Sequence, residues 1–356
     1  MVTYRLATKE DYENINNFHN KIYKKNRTIE QFYWEFHNCP FGKSIYVVAC
    51  VNNQIVGTNC VIPIVLTNAK RELILTGKSE DTLVDPEFRG HNIFNNIYDC
   101  LFEECIKNGI KIIWGFTSAK KPFLKVGFQV PFEHIQSLSV NKTIESYKYL
   151  TSLNKNNTII QKLKILGLCI LSKLKGLKNN FKANISDLII KEKTEIYENI
   201  NTLIESCSKE YPNLFYILQS NDFQKWRVYE NPNYYKVHTY SVYDTKNSLV
   251  ALVVLNTHPN GVAYIIQSTF SSNISKNQKH NVIKNITLSM FKKDTTIIRN
   301  WHFDTNIINK EEIEIFNKSN YIILKKGIGF VWKDLDSTGL DPKNFLLSRI
   351  STEGIL

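Results

Sequence analysis

Val84-Asp85-Pro86-Glu87-Phe88-Arg89-Gly90-His91-Asn92-Ile93-Phe94 is the stretch on which the reading of this chain turns. A strand pattern ends at Val84, and Asp85 to Gly90 is loop chemistry. From there Ile93, Phe94, Ile97, Leu101, Phe102 and Cys105 recur at helical spacing. A strand passing so abruptly into an amphipathic helix leaves the first backbone N–H groups of that helix facing outward without partners. Such a loop favours a pyrophosphate. Gly90, lacking a Cβ, lets an anion approach closely, Arg89 is always charged, and His91 offers a further donor.

Outward from this stretch, helical and strand patterns alternate. Residues 9–23, opened by Thr8 as N-cap, and residues 28–36 read as helices. Residues 44–51 and 54–65, joined by Asn52-Asn53, read as a hairpin, and 71–84 continue the meander. Residues 111–117 form a buried strand, and 122–126 a short helix ended by Gly127. In the second half the spacing predicts a helix over 195–208, strands over 235–243, 249–255 and 263–270, and a helix over 278–291. Trp34 lies six residues before Pro40, and Trp226 six before Pro232. Each pair precedes two strands and a long helix, so the chain repeats one domain plan.

At 356 residues, with 43% hydrophobic and 22% charged side chains, the chain has the length of two domains and the composition of a folded globular protein. The net charge of +12 suits polyanions or membrane surfaces at first sight. Most of it is local: residues 146–186 hold eight lysines and no Asp, Glu or Arg. The flanking regions are nearly balanced, which removes the case for a nucleic-acid surface. Within the basic segment, Ile159, Leu163, Leu166, Ile170, Leu174 and Leu177 describe an amphipathic helix interrupted by Gly167 and Gly176. It reads as a linker helix packed on one domain with a lysine-rich wet face; membrane contact through 155–182, or a partner helix, is the alternative. Seven cysteines without C-x-x-C pairs argue against zinc and disulfide frameworks, and no metal is expected. The opening residues lack the apolar core of a signal peptide, so a reducing cytoplasm is the expected compartment.

These motifs resemble the GNAT superfamily of acyl-CoA-dependent N-acyltransferases. The resemblance covers residues 1 to about 136 and rests on Ile55-Val56-Gly57, Val84-x-Pro86 with Arg89-Gly90, and Lys125-Val126-Gly127-Phe128. It implies that the strand before the loop splays from its neighbour. Leu83 and Val84 would then contact the pantetheine arm through the main chain, and Arg89, Gly90, His91, Asn92 and Ile93 would hold the pyrophosphate of coenzyme A. Glu87 and Asn92 depart from the family's loop pattern, and Phe123 stands where many members carry a proton-donating tyrosine. The usual base position falls on Lys78, which leaves the neighbouring Glu80 and Asp81 as catalytic candidates, with strand alternation aiming one of them at the cleft. Glu133 and His134 form a second pair.

Three further stretches, from Trp34 to Gly42, from Gly77 to Val84 and from Trp226 to Pro232, resemble two-domain sugar-nucleotide N-acyltransferases of bacterial surface-polysaccharide pathways. The expected fold is therefore α/β (α+β): two tandem GNAT-like domains, each a mixed, mostly antiparallel sheet flanked by helices. An N-terminal domain over 1–145 would bind acyl-CoA, 146–186 would be the basic connector, and 187–356 a degenerate second copy without the Arg-Gly loop. The reaction expected is acyl transfer to the amino group of a nucleotide-linked amino sugar. Candidate acceptor contacts are His134, Trp34, Arg227 and Tyr235, with Tyr234, Arg299 and Trp301 also available. Another small amine or a peptide as acceptor, and a non-catalytic membrane-surface scaffold, are the competing readings.

Overall fold

Local chemistry accounts for most element boundaries in the first half. The computed structural model describes residues 1–154, 156–177, 187–193, 200–324 and 327–352. After strand β1 (Thr3–Leu6), helices α1 (Tyr12–Tyr23) and α2 (Ile29–His37) follow. Thr28 caps α2 by accepting from the Gln31 backbone N–H, while the Gln31 side chain accepts from the Thr28 N–H. Strands β2 (Ile45–Val51) and β3 (Gln54–Asn68) turn at Asn52 and Asn53, with φ of 48° and 63°. That is the left-handed pair a tight hairpin needs, and Asn tolerates it. Strand β4 (Leu73–Val84), helix α3 (Ile93–Lys107), strand β5 (Ile112–Thr117), helix α4 (Lys120–Lys125) and strand β6 (Gln129–Val140) complete the half.

Helices α5 (Thr143–Ser152) and α6 (Ile159–Leu177) then cross to the second half. Residues 155 and 178–186 of the basic segment lie outside the described residues, as do 195–199 of the helix expected over 195–208. The second half comprises β7 (Leu188–Lys193), α7 (Ile200–Ser208), β8 (Phe215–Ile217), α8 (Asn221–Gln224), β9 (Lys236–Asp244), β10 (Leu249–Thr257) and β11 (Val262–Phe270). It closes with α9 (Lys276–Lys292), β12 (Ile297–Phe303), α10 (Ile307–Lys318), β13 (Ile322–Leu324) and β14 (Gly329–Asp334). The repeat seen in sequence is a contact in space. The Trp34 indole N–H donates to the Trp226 carbonyl and the Trp226 indole N–H to the Trp34 carbonyl, each at 2.7 Å. Two copies of one helix exit thus meet about a local two-fold axis.

One 14-stranded sheet runs through both halves in the order β1-β2-β3-β4-β5-β14-β6-β12-β11-β10-β9-β7, with β13 on β6 and β8 on β3. The halves exchange their last strands. β14 lies between β5 and β6, and the second part of β6, His134 to Val140, pairs with β12. One apolar cluster is therefore shared between the halves: Phe32, Trp34, Ile62, Trp114, Trp226, Phe330 and Phe345 all belong to it.

Each half contains one parallel pair, β4–β5 and β11–β12, matched over three residues only. Beyond β11 and β12, the C-terminal segment fills the divergence. Asn306 and Asn309 donate to the carbonyls of Phe345 and Leu347, and the Arg349 guanidinium sits between Tyr264 of β11 and Trp301 of β12. In the first half the divergence stays open. The exposed side of α6 carries Lys162 and Lys164, as expected of the basic connector, and beside them an aliphatic stripe, Ile159, Ile160, Leu163, Ile170, Leu171 and Leu174.

Candidate active site

The open divergence begins where β4 and β5 come closest. Thr76, Gly77 and Lys78 pair with Ile112, Ile113 and Trp114, and at the next step a Cβ on Gly115 would lie 2.9 Å from the Ser79 carbonyl oxygen. Only glycine allows that approach. β3 still holds the far edge of β4 as far as Val84, so among the described residues the edge of 79–84 facing β5 has no strand partner. Between the strands opens a cavity of about 1130 Å³, lined among others by Glu80, Leu83, Val84, Arg89, Gly90 and Phe116.

At its mouth the loop takes the conformation its residues permit. The Asp85 carboxylate accepts from the Glu87 N–H and from Lys21 at 3.0 Å, tying the turn to α1. Gly90 has φ +88°, with open space where a Cβ would stand. Asn92, in place of the family's small residue, adopts φ 59° and makes no side-chain cap on α3. Asn is the non-glycine residue that best tolerates this region, so the substitution keeps the turn and leaves the first-turn N–H groups uncapped by a side chain. His91 faces away from this role: its Nδ1 lies 3.2 Å from the Phe88 carbonyl, and the ring does not line the cavity. Arg89, Lys121 and Lys125 line the mouth as exposed cations. A pyrophosphate or nucleotide phosphate fits that charge.

At the apex, alternation fails. Asp81 has φ 52°, and Asn59 of β3 faces both Asp81 and Thr82 as the register shifts between Thr58 and Cys60. This bulge puts two consecutive carboxylates on the face covered by α1 and α2. Asp81 is spent there: His19 Nδ1 at 2.6 Å, Arg27 at 3.0 Å and the Tyr46 hydroxyl all bond its carboxylate. Burial pushes the Asp81 carboxyl up, but these partners together hold it below the usual range. Glu80 pairs with Lys78 alone among described residues. Burial lowers the Lys78 pKa against the pull of Glu80.

Glu35 of α2 completes the cluster. Burial first, and then the Glu80 charge, push its carboxyl up to about 8. Between the ordinary carboxylate value and 8 the folded protein binds a proton that the unfolded chain releases, so stability falls as pH rises. His134, depressed to about 4 by burial, has the opposite sign and acts only below its ordinary value of 6.5. Of these two groups, Glu35 alone acts between pH 6.5 and 8, at about 1 kcal/mol per pH unit. Glu35→Gln is expected to flatten the denaturant midpoint across that window. A slope equal to that of the wild type would show that Glu35 is ionised in the fold.

Four expected acceptor contacts lie elsewhere. Trp34 and Arg227 are buried between the halves, the Arg227 Nε donating to the Ile350 carbonyl and its guanidinium resting on both tryptophans. Tyr235 stands 68% exposed, off the cavity. His134 is 1% exposed, accepts from the Ile328 N–H at 2.8 Å and stacks on Trp301 at 3.9 Å, a locked neutral ring at the strand exchange. Arg299 is occupied by Tyr149 and Gln136, and Glu133 by Lys120. Apolar or aromatic surroundings hold Trp34, Arg227 and His134, and ion-pair or hydrogen-bond partners hold the other two.

The cavity wall holds groups that the sequence patterns do not single out. Ile22 and Tyr23 come from α1, and Ile328 and Val331 from the second half. Lys121 and Lys125 carry a signal, a lysine pair and a third lysine around Pro122, whereas the exchanged strand carries none. Phe123 packs among Phe94, Tyr98 and Phe128. A hydroxyl approaches nevertheless, since Tyr98, pushed up to about 12 by burial, bonds at 2.9 Å to Ser79 on the cavity wall.

Comparison with known proteins agrees with this geometry. Residues 3–130 match the family model described as an acetyltransferase (GNAT) domain. The chain is similar in fold to a conserved protein of unknown function from Enterococcus faecalis V583, described as "Probable N-Acyltransferase", at TM-score 0.63 and 10% identity over 94% of this chain and 73% of that one. It is also similar to a tandem GNAT protein from the clavulanic acid biosynthesis pathway (0.58, 9%, 94% and 99%). A third likeness is to Saccharomyces cerevisiae N-myristoyltransferase with bound myristoyl-CoA (0.56, 12%, 99% and 86%). A search of curated protein sequences gives no significant match. Among the described residues no helix is long and apolar enough to cross a membrane. Residues 3–130 thus form a GNAT acetyltransferase domain within a tandem GNAT-like fold, and the chain is an acyl-transferring enzyme.

Proposed function

We propose that the protein moves an acyl group from acyl-CoA to the amino group of a nucleotide-linked amino sugar. The observation that carries the acyl-CoA part is the unpaired edge of β4 at residues 79–84, leading directly into the uncapped start of α3. Main-chain groups at Leu83 and Val84 would pair with the pantetheine amides. The N–H groups of the loop, with Arg89, would hold the pyrophosphate, joined at the mouth by Lys121 and Lys125. The acceptor part rests on the resemblance of the Trp34, Gly77 and Trp226 stretches. Its nucleotide would be held by groups other than Trp34, Arg227, Tyr235 and His134.

In the reaction, a neutral amine attacks the thioester carbonyl, the C–N bond forms, the C–S bond breaks, and an amide and free thiol result. Glu80, on the α1–α2 side of the apex, would take the proton that the amine gives up. A backbone N–H on the free edge of β4 would stabilise the oxyanion. Ser79, bonded to Tyr98, would offer the departing thiolate a hydrogen bond in the absence of a tyrosine at position 123, and the proton taken from the amine would pass from Glu80 through water to the thiolate.

Thiol release on mixing acetyl- or hydroxyacyl-CoA with amino-sugar nucleotides tests the proposal. Release with simple amines or peptides but with no amino-sugar nucleotide would sink the acceptor assignment. Gly90→Val removes the freedom needed at φ +88° and covers the open space before the loop. It is expected to raise KM for acyl-CoA by about tenfold or more, with a smaller change in kcat. An unchanged KM would move the phosphates away from this loop.

A further inference from the structure

Helix α6 is attached to the body through Leu168, which packs on the cluster of Leu138, Val140, Val262 and Ile297, and through a set of polar groups. Ser172 accepts from the Val140 N–H at 3.0 Å, Lys175 donates to the carbonyls of Asn317 and Tyr321, and Lys173 reaches Asn141. Cys169 and Ser172 are buried against the sheet. At about 100° per residue, Ile159, Ile160, Leu163, Ile170, Leu171 and Leu174 fall within one sector of about 120° on the opposite side. All six are 44–77% exposed. Such a stripe along one helix is an interaction surface and not random surface apolarity.

Charge points to what covers it. Around the same helix, Lys164 and Lys175 fall at one border of the stripe and Lys162 and Lys173 beyond the other, and both Lys162 and Lys164 are exposed. No acidic residue occurs between 146 and 186. α6 also walls a groove of about 250 Å³ lined by Lys173, Lys284 and Lys292, with no Asp or Glu among its lining residues. A second copy of this chain would bring two such basic segments face to face, at a repulsive cost.

We propose that the exposed face of α6 docks in the plane of an anionic lipid bilayer. Its aliphatic stripe enters the boundary between headgroups and acyl chains, and the exposed Lys162 and Lys164 rest on lipid phosphates. The helix lies on the membrane and does not span it. This attachment is independent of which acceptor the enzyme uses.

Co-sedimentation of the full chain with phosphatidylcholine vesicles, with and without phosphatidylglycerol, tests the proposal. Anionic vesicles are expected to retain the protein at least about tenfold better than neutral ones, and high salt to release it. Leu163→Asp with Leu171→Asp should abolish retention while leaving acyl-transfer activity and the unfolding midpoint unchanged, since both residues face solvent. Lys162→Gln and Lys164→Gln should each weaken anionic binding by roughly fivefold. Wild-type protein left in the supernatant at low salt would overturn the proposal, as would retention that ignores the Leu163 and Leu171 changes. Light scattering that shows a dimer which Leu171→Asp converts to monomer would assign the face to a second copy instead.

Discussion

Glu80→Gln is expected to lower kcat by about 10²–10⁴ while leaving KM for acyl-CoA nearly unchanged. The substitution keeps the size of the side chain and its place beside Lys78, and removes the charge that accepts a proton. The phosphate loop and the free edge of β4 lie on other residues, so coenzyme binding should survive. Glu80→Asp should restore part of the rate, because a carboxylate is again present, one methylene short. Turnover of Glu80→Gln within about threefold of wild type would assign proton acceptance to water and remove Glu80 from the chemistry.

Asp81→Ala is expected to act on stability first. Asp81 joins α1 through His19, the α1–α2 turn through Arg27, and β2 through Tyr46. Arg27 is itself buried, stacked over Phe32 and Phe36, and its Nε donates to Asn16. Deleting the carboxylate leaves that guanidinium without an anion in a low-dielectric site, a situation that costs about 3–5 kcal/mol. Arg27→Met in the Asp81→Ala background should recover part of the loss, since it removes the orphaned charge. A double variant as unstable as the sum of the two singles would refute the coupling. Activity per folded molecule should fall less in Asp81→Ala than in Glu80→Gln, because Asp81 is bound by its own neighbours and Glu80 is the proposed proton acceptor. The reverse order would exchange the two roles.

Features set by neighbours along the chain are legible in the residues themselves. Thr28 and Gln31 make a capping box three residues apart, Asn52-Asn53 selects a tight hairpin, and Gly90 before the Ile93 stripe marks a turn into a helix. Each depends on energies of about 1 kcal/mol acting within one turn of chain. The open loop is legible in the same way, and so is the absence of its counterpart before α9. The bulge is not. Asp81 tolerates a left-handed conformation but does not demand one, and its adoption depends on Arg27 and His19, more than fifty residues away. Alternation therefore assigns one carboxylate to the cleft, whereas the fold puts both on the same face.

Aromatic and basic residues mislead for a related reason. Trp34 and Arg227 have the chemistry of a nucleotide site, yet Trp34 and Trp226 bind each other's backbones and Arg227 rests on both rings. Composition cannot distinguish an aromatic facing a ligand from one facing its own duplicate. On α6 the three- and four-residue spacing of aliphatics does mark an amphipathic helix. Which side meets the protein depends on Ser172, Lys173 and Lys175 finding partners at Val140, Asn141, Asn317 and Tyr321.

Local sequence alone marked a strand–loop–helix with its glycine turn, two copies of one plan, and a net charge concentrated between them. Those properties follow from backbone preferences and residue order, which no distant contact alters. Tertiary structure decided which carboxylate is consumed by its neighbours, that the second half supplies Ile328 and Val331 to the wall of the first half's cleft, and that the connector turns its aliphatic side outward. Each of these outcomes is a competition for partners between segments a hundred or more residues apart or on different elements, and only the assembled sheet sets which partners are within reach.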